Sequence, residues 1–412
     1  MLAGSRLNVT LLLAAMTLNS VPFGFSLVVL PIYLTQIGFS AGAIGLIVSV
    51  SGLANTAGLM PAAIAANTYG RKTLVFLGFI TSGLAYVLFA FCRTLNLLLL
   101  ASAIGGVGLA GGFTAAIWTP AWVALLAETE PETRTNAFGW SQGLFTVALS
   151  TGSAMSVLPA FFQDLLRTSI ETSTQLTFII FTGLAIVSGI VVLPVSETRK
   201  KQADHHQTRL VKWSLSKKSV RHIAKYSFTF GLLGFSSGIA GQLLSLWFNK
   251  MYGVNAVTLG PWFAAAEITS IVVVPVIPKV ARRLGTVKSI LATQGMSALV
   301  LSCMILAPTY QDAGLLLVVR NLLIGIYWPV QQSYLMGTVV AEERASASAI
   351  TYTIYGIGSA TGPVLAGLFL SSKSFISISA PIIIGAVGYF SSALIFYLFF
   401  RKFPPPDEIA AK

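Results

Sequence analysis

The placement of charge constrains this chain more than any other feature. Lys, Arg, Asp and Glu together make up 9% of the sequence, and they collect in short polar gaps between long apolar runs. Apolar stretches of ~18 residues or more are long enough to cross a bilayer as helices. The runs are continuous rather than alternating, which argues against barrel strands of ~10 residues. Satisfying backbone polar groups in lipid then demands helices. With 55% hydrophobic residues and a mean hydropathy of +0.80, the chain has too little polar surface to cover a soluble core. The expected fold is an all-α polytopic membrane protein.

Reading apolar runs against Gly, Pro and charge predicts twelve spans. The first six lie near 8–35, 42–66, 73–93, 97–127, 136–163 and 175–195, and the second six near 223–250, 258–280, 288–307, 313–340, 346–371 and 378–400. Several exceed the ~20 residues that a bilayer requires, which implies tilt or extension beyond it. The longest polar segment, Glu197 to Arg221, holds Arg199, Lys200, Lys201, Arg209, Lys212, Lys217 and Lys218. His205 and His206 sit there without partner ligands, so the segment reads as a solvated linker and no metal site is expected. The expected organisation is a six-helix bundle over 1–196, a basic linker over 197–222, and a second bundle with a short tail over 223–412.

An even number of spans places both termini on one side. Of the 26 basic residues, Arg93, Arg167, Lys250 and Lys373 fall on the opposite side and Arg320 lies within a span, leaving 21 with the termini. Lys and Arg in short loops set orientation, so the termini and the linker are expected in the cytoplasm of a cell-membrane protein. The same bias accounts for the net charge of +13: the bases flank spans rather than cover a soluble domain, and no nucleic-acid partner is expected. Cys92 and Cys303 lie in or beside apolar segments, with no disulfide framework or metal spacing. Arg6 followed by Leu7 to Leu18 has the look of a signal peptide, but the apolar pattern continues to Leu34 and reads as a retained first span. The sequon Asn8-Val9-Thr10 falls on the cytoplasmic side of this topology.

The halves repeat one another. Gly38-Phe39-Ser40 after Tyr33-Leu34 is echoed by Tyr252-Gly253 after Trp247-Phe248. Tyr69-Gly70-Arg71-Lys72 is echoed by Leu284-Gly285 with Lys288 nearby, and Glu128 through Arg134 by Glu342 through Arg344. A six-span repeat points to a duplicated transporter scaffold with its site between the halves.

Three segments carry a family resemblance. Ala63-Ile64-Ala65-Ala66-Asn67-Thr68-Tyr69-Gly70-Arg71-Lys72 resembles the loop between spans 2 and 3 of the major facilitator superfamily, whose pattern is Gly-x-Leu-Ala-Asp-Arg-x-Gly-Arg-Lys. The Gly-Arg-Lys end is intact, but Asn67 stands where the family has Asp and Thr68 where it has Arg. Pro120 to Arg134 is similar to the loop after span 4, with a copy over Pro329 to Arg344. Gly356-Ile357-Gly358-Ser359-Ala360-Thr361-Gly362-Pro363, with Gly367, resembles the Gly-Pro helix motif that the family's antiporters carry in span 5; here it stands in span 11, and span 5 has Gly152-Ser153 without Pro. The resemblance covers nearly the whole chain. It implies two pseudo-symmetric six-helix bundles and a cytoplasmic latch built from Asn67, Gly70, Arg71, Lys72, Glu128 and Arg134. Gly70 permits a tight turn, and Arg71 and Lys72 can meet helix C-terminal carbonyls or an acid.

Ionisable groups inside a span are costly and usually face protein or water. Glu267 in span 8 and Arg320 in span 10 are the two here, at similar depth from the same end, and the resemblance places both beside a central cavity. An ion pair between them, opened by proton or substrate, is the expectation. Arg320 through Gly325 also resembles the family's Arg-x-x-x-Gly pattern of span 4, here displaced into span 10 and one residue longer, and around the matching place in span 4 this chain has Gly108. Cavity helices further carry Asn19, Trp118, Trp122, Trp140, Gln142, Gln242, Trp262, Tyr327, Trp328, Gln331, Gln332, Tyr334, Tyr352 and Tyr355. Singly, such residues more often pack or anchor at an interface. Together they are rich in aromatics and amides and poor in charge, which suits a neutral, cationic or amphiphilic ligand, with Gln331 and Gln332 the leading pair.

The expected function is secondary active transport by alternating access: export of a lipophilic or amphiphilic small molecule, with proton antiport as the coupling considered. A facilitator or symporter of a small polar solute is one alternative, favoured by the lack of an acid in span 1. A non-transporting membrane receptor or scaffold is another. No P-loop, one-face metal-ligand pair or Ser/His/Asp set points to an enzyme, and no cofactor is expected. The expected partners are the substrate, protons and the lipid bilayer, with the protein a monomer.

Overall fold

The computed structural model describes residues 2–105, 111–127, 131–197, 217–340 and 343–403. Among them the regular structure is helical, with sixteen α-helices and three short 3-10 segments. The first half holds α1 (Leu2–Gln36), α2 (Ala41–Tyr69), α3 (Arg71–Phe91), α4 (Leu95–Gly105), α5 (Gly112–Ala127), α6 (Pro131–Ala154), α7 (Leu158–Leu166) and α8 (Ile170–Val192). The second half holds α9 (Lys217–Gly241), α10 (Leu244–Tyr252), α11 (Ala256–Val272), α12 (Ile277–Leu284), α13 (Thr286–Cys303), α14 (Tyr310–Thr338), α15 (Arg344–Leu370) and α16 (Phe375–Phe400).

Eleven helical segments of the described residues are long and apolar enough to cross a membrane. Of the fourth span the structure describes α4 and α5, which lie on either side of residues 106–110. At the start of α5, Gly111 and Gly112 hold φ of 63° and 58°, a region that glycine enters without steric cost. Gly108 lies outside the described residues, as do most of the linker and the tail. Three other spans are compound. α6 continues through a 3-10 turn at Met155–Val157 into α7, α9 stops at Gly241 before α10, and α11 passes through Val274–Val276 into α12. Pro159, Pro275 and Pro278 sit at or near two of these interruptions, where a missing N–H is tolerated.

Within the first half, α1 packs on α6 and α8, and α3 on α5 and α8; within the second, α9 packs on α15 and α16, and α13 on α14 and α16. The fold is that of twelve spans in two pseudo-symmetric bundles. Equivalent turns agree in conformation: Gly70 has φ 93° and ψ 142°, and Gly285 has φ 78° and ψ 154°.

The bundles meet along two long seams, α2 on α15 and α6 on α11, with a smaller contact of α1 on α10. The first seam is made of small residues. A side chain at Gly45 would run into Pro363 and Gly367, one at Gly52 into Ala360, and one at Gly356 into Thr56. α15 is glycine-rich on its other face too, where Gly358 and Gly362 abut the α9 backbone at Gly231 and Gly238. In the second seam Ser150 Oγ donates to the Ala264 carbonyl at 2.9 Å, and Gly260 lies against Ser153 and Ser156. In the third, Ser245 Oγ donates to the Leu27 carbonyl at 3.1 Å.

The contacts between the bundles run from the far end, at Gly45 and Gly367, to mid-helix at Thr56 and Gly356. Toward the termini the same helix stripes separate. On α2 the stripe through Gly45, Gly52 and Thr56 continues to Met60, which is 63% exposed; on α6 the stripe through Ser150 continues to Gly143 and Gly139, where an added side chain would meet nothing within 4 Å. The chain is therefore sealed at the far end and open at the terminal end.

Replacing Gly45 with Leu should wedge the α2–α15 seam. Overpacking costs ~1–3 kcal/mol, which shifts a two-state equilibrium by roughly 5- to 150-fold. Alkylation of a cysteine placed at Ala41, buried in this state, should accelerate accordingly over the same cysteine in the Gly45 parent.

Candidate functional site

Two cavities lie inside the bundles. The first, about 280 Å³, belongs mostly to the second half, and its walls include Gln242, Phe263, Glu267, Arg320, Asn321, Tyr327, Trp328, Tyr355 and Tyr389. The second, about 360 Å³, lies in the first half; Phe23, Asn55, Trp118, Trp122, Phe138, Gln142 and Phe145 line it, and no lining residue carries charge.

Local sequence sets the depth of the two charges. α11 starts at a cap in which Asn255 Oδ1 accepts from Thr258 N at 3.0 Å. α14 starts at a similar cap, Thr309 Oγ1 accepting from Asp312 N at 3.3 Å. Both helices thus start at the far end, and Glu267 and Arg320 each lie about ten residues along, roughly 15 Å at ~1.5 Å per residue. α11 and α14 pack together, so the acid and the base share one cavity. No ion pair joins them. Arg320 is 4% exposed; its guanidinium carbon lies 5.1 Å from the centre of the Tyr389 ring, and its Nε is buried without a hydrogen-bond partner. The expected pair is replaced by a cation on an aromatic face, an arrangement that holds a charge without neutralising it.

Glu267 has a second neighbour. Gly260, Ala264 and Glu267 fall at i, i+4 and i+7 on α11, one face of a helix. The first two touch α6 across the bundles. Glu267 therefore stands on the seam face, one turn below the Ser150–Ala264 contact, where the seam gives way to the cavity.

Of the other expected residues, Gln242, Tyr327, Trp328 and Tyr355 line the charged cavity, and Trp118, Trp122 and Gln142 the uncharged one. Gln242 reaches its cavity because the seventh span is broken after Gly241, and its Oε1 is buried without a partner. Asn19 is fully buried with both amide atoms unpartnered. It lies one turn from the cavity-lining Met16 and Phe23 on α1. Gln331 and Gln332 line neither cavity. Gln331 continues the α14 stripe of Leu317, Arg320, Ile324 and Tyr327 by one turn, but there Tyr226 closes it off, donating its hydroxyl to the Gln331 carbonyl at 3.1 Å. Tyr334 is buried, with its hydroxyl on the Phe403 carbonyl; Trp140 and Tyr352 are exposed.

At the terminal end of the first half, the turn at Gly70 is organised by an acid the sequence reading did not single out. The Glu197 carboxylate, just past α8, accepts from Arg71 N at 3.0 Å and Lys72 N at 3.4 Å. Lys72 Nζ donates to the Leu193 carbonyl at 3.0 Å, at the C-terminal end of α8. An anion thus sits at a helix N-terminus and a cation at a helix C-terminus, each favoured by the helix dipole. Asn8 fixes the same strand of chain, its side chain exchanging hydrogen bonds with Ser196. The signal that points to Glu197 is a turn lacking its own acid beside a span that ends in one. Of the other expected latch residues, Glu128 lies outside the described residues, and the side chains of Asn67 and Arg134 are likewise not described.

Two six-helix bundles, sealed at one end and holding a membrane-embedded acid and base in a common cavity, define a polytopic membrane protein of transporter architecture. The family model of the Major Facilitator Superfamily matches residues 12–336, and the chain belongs to that superfamily. It is 24% identical over 389 residues to multidrug resistance protein MdtG of Proteus mirabilis (strain HI4320), covering 91% of this chain and 90% of that one. In fold it is similar to a bacterial homologue of the human lysosomal transporter Spinster in an inward-facing and unoccupied conformation (TM-score 0.75, 16% identity, 97% of this chain and 98% of that one). It is equally similar to the nucleoside transporter NupG (TM-score 0.75, 16% identity, 96% and 99% of the two chains).

Replacing Glu197 with Gln should loosen the start of α3 by ~0.5–2 kcal/mol, the usual worth of a cap or dipole contact. Hydrogen exchange at the Arg71 and Lys72 amides should quicken several-fold, while exchange in α13 stays as it was.

Proposed function

We propose that this chain is a secondary active transporter that alternates access to its cavities by rocking one bundle against the other. Its substrate is a lipophilic or amphiphilic small molecule, exported in exchange for protons. The observation that carries the reading is the position of Glu267, which faces the cavity and also stands on the seam face of α11. A proton there changes the charge at the inner edge of the far seal, so protonation biases the same contact that opening must break. A ligand binding one state better shifts the equilibrium by its differential affinity.

The rest of the site supports this substrate class. Aromatic walls and scattered amides, with one acid and one base, suit an amphiphile better than a phosphate, which would want several bases. The printed name of the MdtG relative points the same way. The excess of Lys and Arg beside the termini supports a cytoplasmic location for them, so the state described faces the cytoplasm. In this reading 1–196 and 223–412 move as bodies joined by 197–222, and the Gly70 turn latches the cytoplasmic end of the first. The protein acts as a monomer in the cell membrane. A facilitator or symporter of a small polar solute is the second reading, favoured by the uncharged first-half cavity and the lack of an acid on α1.

Purified protein in liposomes decides between them. An imposed pH gradient should drive efflux of a lipophilic cationic dye. Glu267→Gln should lower gradient-driven flux by about tenfold or more, a coupling loss of at least ~1.4 kcal/mol, while leaving dye counterflow without a gradient. Equal gradient dependence in wild type and variant would remove Glu267 from coupling. Flux indifferent to the gradient in wild type would favour the facilitator.

A further inference from the structure

α12 is unlike the rest of the chain. Lys279, Arg282 and Arg283 fall at i, i+3 and i+4 and share one face of this helix, while Ile277, Val280, Ala281 and Leu284 share the other. The apolar face is seated: Ile277 packs on the core of the second bundle, and Val280 and Ala281 are half-buried. The basic face is exposed, as is Lys288 at the start of α13. Among the described residues none of these four bases makes a hydrogen bond or ion pair. α12 packs on α13 and α14; α13 contains no acid, and Asp312 of α14 lies at its opposite end.

The matching turn of the first half is arranged differently. There Lys72 is held by the Leu193 carbonyl, and the Arg71 and Lys72 amides by Glu197. The second half repeats the turn at Gly285 and presents its bases outward instead.

Height along the span identifies what they meet. Lys279 lies about 23 residues beyond the start of α11, roughly 35 Å at ~1.5 Å per residue. The hydrocarbon core is ~30 Å thick, so the basic face emerges at the headgroup layer on the terminal side. Val272, Val274 and Val276 flank it and are 68%, 55% and 42% exposed. A basic face at headgroup height beside exposed aliphatic side chains matches a molecule with an anionic head and acyl chains.

We propose that the Lys279–Arg282–Arg283 face of α12 is a binding site for the headgroup of an anionic phospholipid. Because α12 continues from α11, the lipid holds the terminal end of the helix that carries Glu267. The site depends on the helix ending at a membrane surface, and stands whether or not transport is proton-coupled.

The test is titration of the delipidated full chain in detergent with phosphatidylglycerol or phosphatidylcholine, counting bound lipid by native mass spectrometry. Phosphatidylglycerol should bind more tightly than phosphatidylcholine. The triple variant K279Q/R282Q/R283Q should lose that preference by about tenfold or more, as expected for bases near an anionic surface. The charge-keeping R282K/R283K should retain it. Wild-type affinity in the triple variant, equal binding of the two lipids, or displacement of the lipid by inorganic phosphate at equal concentration would each overturn the proposal. If the triple variant does not fold, the salt dependence of the wild type serves in its place. Affinity for phosphatidylglycerol should fall as NaCl rises, and salt-independent binding would overturn the site.

Discussion

Helices in lipid gain nothing by hiding apolar side chains from one another, so close contact between them must come from small residues and interhelical hydrogen bonds. The α2–α15 seam answers this constraint directly. Gly45, Gly52, Gly356 and Gly367 bring backbones within reach, and α15 uses the glycines of its other face against α9. One helix therefore holds its own bundle and the opposite one at once. The rest follows from where that contact stops. Below Thr56 the α2 stripe carries Met60, 63% exposed, a side chain too large to continue the seam, and the bundles part.

The chemistry is unequally divided. The second half holds both embedded charges, Glu267 and Arg320, and a cluster of tyrosines that includes Tyr327, Tyr355 and Tyr389. The first half offers an aromatic cavity without charge. Arg320 lies over the Tyr389 ring rather than pairing with Glu267. Glu267 also stands on the α6-facing stripe of α11, so the proposed coupling places its carboxyl group beside the contact between the bundles. Pseudo-symmetry builds the frame, and the embedded charges depart from it.

Much of this was legible in the sequence because the physics involved is local. A charge in lipid is costly, so Glu267 and Arg320 announced themselves, and long apolar runs gave the spans. The repeat at Gly70 and Gly285 was readable because both turns require a conformation that glycine adopts freely. What escaped reading depended on partners distant in sequence. Glu197 caps α3 from the end of α8, and nothing in its own neighbourhood says so. Gln331 lies on the correct face of α14, but Tyr226 from another helix closes that face above it. The separation of Glu267 from Arg320 could not be read from spacing, because an aromatic ring on α16 competes for the same cation.

The central claim is that one seam seals the far end and that the bundles exchange this seal for one at the terminal end. Distances between paired spin labels in the reconstituted protein test it most directly, one pair across α2 and α15 at Ala41 and Ser371, the other across α6 and α15 at Trp140 and Tyr352. The account predicts that lowering the pH or adding a transported cation lengthens the first distance and shortens the second together. If the two distances stay fixed, or lengthen together, alternating access about this seam is wrong.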